Sequence, residues 1–228
     1  MNSELYYEEC GYGLPLVLLH GNGEDHTYFV HQADYFGSRY RVIVLDTRGH
    51  GRSPRGDGEF SIVRFADDLY DFLTAHKIVK AHLLGFSDGG NIALTFALKH
   101  PDMVVSLVLN GANIDPSGVK RSVQIPIEIG YRIARYAAVK SEKARTNAEM
   151  LGLMVNEPHI NPAELKELHM PVLVIAGTHD MIKRSHTKLI AASIPDAQLR
   201  LIKGDHFIAN KNPDDFNRAV EDFLEKNV

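Results

Sequence analysis

The stretch Ala81-His82-Leu83-Leu84-Gly85-Phe86-Ser87-Asp88-Gly89-Gly90-Asn91 decides how this chain is read. Ala81, Leu83, Leu84 and Phe86 make an apolar run long enough for a buried strand. Three glycines then crowd around Ser87, and residues 91–100 carry a helical pattern. Gly85-Phe86-Ser87-Asp88-Gly89 is a G-x-S-x-G match in the context strand, sharp turn, helix. The spacing has a steric cause. A serine on so tight a turn holds strained backbone, and the residues two positions away must then lack a Cβ. Such a turn lifts the serine oxygen off the end of the sheet and leaves the Asp88 N–H free to face an oxyanion. The competing reading of the pentapeptide alone is a glycine-rich turn with an incidental serine.

Outward from this stretch, continuous apolar runs alternate with helical patterns. Strands are expected at 5–10, 14–19, 40–45, 81–86, 104–109, 171–176 and 198–202. Helices are expected at 25–36, at 61–76 with Ser61 as N-cap, at 184–193, and at 213–226 with Pro213 in its first turn. Strands without polar alternation are strands covered on both faces, so the fold class is α/β, a mostly parallel sheet with helices on both sides. Residues 113–170 break the pattern: the periodicity is helical throughout and no strand run occurs. The chain divides accordingly into a core, 1–112 with 171–228, and a small helical cap insertion, 113–170.

In parallel sheets the site lies at the carboxyl ends of the strands. Four strand ends carry polar, glycine-flanked clusters: His20-Gly21-Asn22-Gly23, Ser87-Asp88, Thr178-His179-Asp180 and Asp205-His206. A serine alcohol is a poor nucleophile at neutral pH and needs a base, which in turn needs an orienting carboxylate. Ser87, Asp180 and His206 supply these in the order Ser…Asp…His. Asp205 is a rival acid, but adjacency to His206 sends the two side chains in different directions. His179 is a rival base, but it shares a turn with the acid.

The chain resembles the α/β-hydrolase superfamily over essentially its whole length. The resemblance rests on LVLLHGNG at 16–23, DTRGHGRS at 46–53, GFSDGG at 85–90, PVLVIAGTHD at 171–180 and GDHF at 204–207. It implies an α/β-hydrolase fold with Ser87 as nucleophile, His206 as general base and acid, and Asp180 as its carboxylate. The oxyanion hole would be the backbone N–H groups of Asn22 and Asp88, so the Asn22 side chain is expected to matter little. His20 reads as a buried histidine bracing the oxyanion loop rather than a base, and Arg48 and His50 match the family's structural loop. The run SDGG resembles the biphenyl hydrolase-like, valacyclovir hydrolase-like branch, which implies Asp88 as a substrate-binding carboxylate for the ammonium of an α-amino-acid ester. The other reading of Asp88 is a carboxylate held at a helix N-terminus, where negative charge is favoured. A single strand precedes residue 14 where the superfamily usually has a hairpin, so a shortened sheet is expected, and the short insertion implies an open pocket.

Activity is therefore expected on a small carboxylic ester through an acyl-enzyme. C–C, amide or perhydrolase chemistry would use the same three residues, and a non-catalytic ligand-binding member of the fold is the alternative of another class. No cofactor or metal is expected: the 12 histidines are scattered without paired ligand spacing. A net charge of −4 with interspersed signs gives no footprint for nucleic acid. No apolar run approaches bilayer length, so no membrane partner is expected. The polar, acidic start MNSELYYEEC is unlike a signal peptide, and a single cysteine, Cys10, allows no internal disulfide. A cytoplasmic protein is the resulting expectation.

Overall fold

The computed structural model describes residues 5–227, so the first four residues of the polar opening stretch lie outside the described residues. Seven strands form one sheet: β1 Tyr7–Cys10, β2 Pro15–Leu19, β3 Arg41–Leu45, β4 Ala81–Phe86, β5 Val104–Asn110, β6 Val172–Gly177 and β7 Gln198–Ile202. Their spatial order is β1-β3-β2-β4-β5-β6-β7, parallel throughout except for β1, which runs antiparallel to β3 at the edge.

Because side chains alternate along a strand, each apolar run feeds two cores. On one face Val17, Leu19, Ile43, Leu45, Leu83, Leu107 and Val174 pack under helices α2 (Ile62–Ala75), α3 (Asp88–Lys99) and α6 (Arg184–Ser193). On the other, Leu16, Leu18, Val42, Val44, Leu84, Val108 and Leu173 pack under α1 (Val30–Phe36) and α8 (Pro213–Leu224), with Phe36, Phe216 and Phe223 fully buried. Both faces are covered, which is why these strands lack polar alternation.

The helix expected at 25–36 is split. A 3-10 turn, His26–Phe29, precedes α1, because the Asp25 carboxylate accepts from Thr27 N at 2.9 Å and Asp46 accepts from His26 N at 2.6 Å. These bonds fix the chain before α1 can begin. Helix α2 begins as its cap signal implies, with Ser61 Oγ accepting from Arg64 N. Arg48 braces the loop after β3 onto α2 by a two-pronged, buried pair with Asp68, both contacts 2.6 Å. A short helix absent from the sequence reading, α7 (Ile208–Lys211), follows His206.

Between β5 and β6 the chain forms two longer helices that pack on each other, α4 (Arg121–Ala137) and α5 (Glu142–Asn156), flanked by 3-10 turns. Among the described residues no helix is long and apolar enough to cross a membrane.

Candidate active site

The turn at Ser87 is as tight as the glycine spacing demands. Ser87 has φ 53° and ψ −120°, in a region that side chains other than glycine rarely enter. A Cβ on Gly85 would lie 2.2 Å from Gly89 O, and one on Gly89 would lie 2.0 Å from Leu19 O. Neither position admits a side chain without moving backbone. Helix α3 starts at Asp88, three residues before the pattern in the sequence suggests, since the two glycines that look unlike helix are there for close approach to β2 and β4. The Ser87 N–H is anchored on Asn110 O at 2.8 Å, so the turn is pinned to the neighbouring strand end.

His206 reaches this serine from the loop after β7, three strands away from β4 in the sheet. Its Nε2 accepts from Ser87 Oγ at 3.0 Å, and its Nδ1–H donates to Asp180 Oδ1 at 2.7 Å. The loops that carry the two residues are tied together beyond the ends of β6 and β7, by Thr178 N to Ile202 O and His179 N to Gly204 O, each 2.8 Å. Asp180 is held in turn by Ile182 N at 2.9 Å on Oδ1 and by Gly177 N at 3.4 Å on Oδ2. Gly111 makes room for the imidazole: it has φ +62°, and a Cβ there would lie 2.7 Å from His206 Cε1. Phe86 flanks the ring at 4.8 Å between centroids. The rivals are elsewhere. Asp205 is bonded to Lys211 Nζ at 2.5 Å and to Phe207 N at 2.9 Å, and His179 turns to Thr178 Oγ1.

The His20–Gly23 loop lies against the same turn. The Gly21 carbonyl accepts from His20 Nδ1–H at 2.8 Å and from Glu24 N at 3.3 Å. In a trans peptide the N–H points opposite to the C=O, so fixing Gly21 O also fixes the direction of the Asn22 N–H. His20 can serve this way only as a neutral ring, donating from Nδ1 while Nε2 accepts from Thr47 N at 3.0 Å. Burial, then the neighbouring His50, hold it neutral by pushing its pKa down to about 4. Asp88, as the first residue of α3, has an N–H without an intrahelical acceptor.

The Asp88 carboxylate is buried, with Oδ2 accepting from Asn22 Nδ2 at 2.8 Å and Oδ1 from Asn91 Nδ2 at 3.2 Å. Each oxygen thus accepts from one neutral amide. Burial pushes its carboxyl up from the ordinary value, against those two donors. The Asn22 side chain, expected to matter little, also donates to Met150 O on α5 at 2.9 Å. Glu24 joins the site without being among the residues the sequence marks, although a carboxylate directly after a His-Gly-x-Gly loop is a signal for it. It accepts from Gly21 N at 3.2 Å, and burial pushes it up to about 7.

A cleft of about 600 Å³ opens between α4 and α5, with Asn22, Gly130, Ile133, Ala134, Met150 and Leu151 among its walls. Among the described residues no cluster of three His, Cys, Asp or Glu side chains could hold a metal ion. A serine hydroxyl on an imidazole whose far nitrogen is held by a buried carboxylate can lose its proton as the oxygen attacks a carbonyl.

Comparison with known proteins points to the same fold. The alpha/beta hydrolase fold family matches residues 15–131, just over half of the chain. RutD of Caulobacter segnis, named for carbamate hydrolysis, is 30% identical over 96% of each chain. The serine hydrolase BPHL of Homo sapiens is 29% identical, covering 97% of this chain and 83% of its own length. Among solved structures, a thermophilic esterase from Thermogutta terrifontis has a TM-score of 0.81 at 25% identity, covering 98% of this chain and 94% of that one. With the sheet order, the serine turn and these likenesses in agreement, the chain belongs to the α/β-hydrolase fold family, as a hydrolase of that type in the branch resembling BPHL.

Proposed function

We propose that the protein is a serine hydrolase that cleaves a small, uncharged carboxylic ester through an acyl-enzyme. The observation that carries this reading is the relay Ser87 Oγ–His206 Nε2 at 3.0 Å and His206 Nδ1–Asp180 Oδ1 at 2.7 Å, in which every donor meets an acceptor. Ser87 Oγ attacks the acyl carbon while its proton passes to His206 Nε2. The carbonyl oxygen becomes an oxyanion facing the N–H groups of Asn22 and Asp88, and each such donor typically contributes about 3 kcal/mol to the transition state. Asp180 stabilises the imidazolium. His206 then returns the proton to the leaving alkoxide, which departs as the alcohol. A water attacks the acyl-serine with His206 as base, and collapse of the second tetrahedral species releases the acid and restores Ser87.

Two features of the surroundings support an uncharged substrate. The acid nearest the serine in sequence, Asp88, is buried with each oxygen accepting from an amide, Asn22 or Asn91, and the cleft walls between α4 and α5 are mostly Ala, Ile, Leu and Met. Esters and carbamates, the substrates in two of the relatives' names, share an acyl carbonyl as the point of attack. A fluorophosphonate probe tests the reading. Folded wild-type protein is expected to label stoichiometrically at Ser87 and to hydrolyse p-nitrophenyl esters, and Ser87→Ala to do neither. Absence of labelling in folded wild type refutes the proposal and leaves a ligand-binding protein.

A further inference from the structure

The Asn22 amide nitrogen has two hydrogens, and both are committed. One goes to Asp88 Oδ2 at 2.8 Å, the other to Met150 O at 2.9 Å. The first acceptor sits one residue after Ser87, the second in the middle of α5. From Asp88 the hydrogen bonds continue. Asn91 Nδ2 donates to Asp88 Oδ1 at 3.2 Å and to Asn113 Oδ1 at 3.1 Å, and Asn91 Oδ1 accepts from Asn113 N at 2.9 Å. Asn113 Nδ2 reaches Asp115 O at 3.1 Å, and the Asp115 side chain pairs with His159 at 3.0 Å. Asn113 and Asp115 open the helical insertion and His159 lies near its end. One string of polar groups therefore joins the entry, the exit and the middle of the insertion to the turn that holds the serine.

The outer side of α5 is held separately. Glu149 takes two hydrogen bonds from Arg55, at 2.7 and 2.8 Å, and Glu157 just past the helix accepts from Ile62 N at 2.7 Å. The Asn22 bond differs in where it pulls. It draws the Met150 turn of α5 onto the His20–Gly23 loop, and Met150 and Asn22 are both walls of the cleft between α4 and α5. A change in this one amide would move the cleft wall and the oxyanion-loop residue together.

We infer that the Asn22 side chain and the Asp88 carboxylate are positioning residues that set substrate specificity, locking α5 to the oxyanion loop and so fixing the cleft that takes the apolar tail of the ester. The inference rests on the proposed acyl chemistry for what the cleft accepts, but not for the lock itself. An acid at position 88 is then explained by acceptor count. A carboxylate can accept from both Asn22 and Asn91, whereas an amide there must oppose one of them with an N–H of its own.

The experiment uses full-length Asn22→Ala and Asp88→Asn. Amide hydrogen exchange across α5 is expected to speed up at least tenfold in both, with β4, β5 and the body of α3 unchanged. The ratio of kcat/KM for p-nitrophenyl octanoate to that for the acetate is expected to fall at least tenfold, chiefly through KM for octanoate. Should Asn22→Ala fail to fold, Asn22→Ser replaces it; one hydroxyl proton can serve only one of the two acceptors, and the same changes are expected with smaller amplitude. Unchanged α5 exchange in the folded variants, or an unchanged octanoate-to-acetate ratio, overturns the inference. Failure of the hydrolase reading shows separately, as absence of Ser87 labelling, because exchange reads the lock without turnover.

Discussion

Replacing Asp180 by Asn removes a charge while keeping the size of the side chain, and the structure dictates which way the amide will sit. Oδ1 accepts from both His206 Nδ1 at 2.7 Å and Ile182 N at 2.9 Å, whereas among the described residues Oδ2 accepts only from Gly177 N, at 3.4 Å. With its oxygen at the Oδ1 position the new amide keeps the two short bonds and opposes only the long one. The reverse orientation would set its NH₂ against two donors. His206 therefore retains its proton on Nδ1 and its free lone pair on Nε2 toward Ser87. What is lost is the anion beside the imidazolium that forms as the serine attacks. Hydrogen bonds to charged groups contribute about 1.5–3 kcal/mol and neutral ones about 0.5–1.5. Burial of both partners places the difference near its upper end, about 2 kcal/mol, or roughly 30-fold in kcat/KM. Steady-state hydrolysis of p-nitrophenyl acetate measures it, with Asp205→Asn as the control expected to stay within about twofold, since that acid faces Lys211. A fall on the order of 10⁴-fold, the size associated with a reversed histidine tautomer, refutes the orientation argument. A larger effect of Asp205→Asn refutes the assignment of the acid.

Glu24 titrates near neutrality because burial disfavours its charge, so its folded pKa, about 7, lies above the ordinary 4.5. The folded state is then penalised as pH rises from about 4.5 to 7, and Glu24→Gln, which can still accept from Gly21 N, removes the penalty. The Tm of Glu24→Gln minus that of wild type is expected to be more positive at pH 8 than at pH 5; an equal difference at both refutes the burial argument. His20 and His82 behave in the opposite sense. Both are buried and held neutral, with burial lowering each from 6.5 to about 4. The unfolded chain takes up protons below pH 6.5 that these rings refuse, so stability is expected to fall between pH 6.5 and 4 by about 3 kcal/mol for each. Urea unfolding of wild type and His82→Leu at pH 7 and pH 4.5 checks this; a loss in the variant as large as in wild type removes His82 from the account.

The architecture and the serine turn were legible in the residues because both are governed by local rules. Unbroken apolar runs at 16–19, 42–45 and 172–176 can only be strands covered twice, and the glycines beside Ser87 answer a steric demand within five residues. One local misreading, the start of α3, came from the same cause: Gly89 and Gly90 look like loop, yet close packing against Leu19 O and Ala112 requires them inside a helix. Where polar side chains point was decided at long range. Asn22 meets partners 66 and 128 residues away, and those bonds, not its own neighbours, give its side chain a role beyond the loop. Asp88 lies at the serine by sequence, but whether its carboxylate faces open space or two amides depends on Asn22 and Asn91 arriving from a loop and from the next turn of α3. Asp180 and Asp205 are chemically alike on paper; only the joined ends of β6 and β7 aim one at His206 and leave the other to Lys211. Backbone geometry is written in nearest-neighbour sterics and periodicity, whereas the partners of a polar group depend on which distant segments the completed sheet brings together.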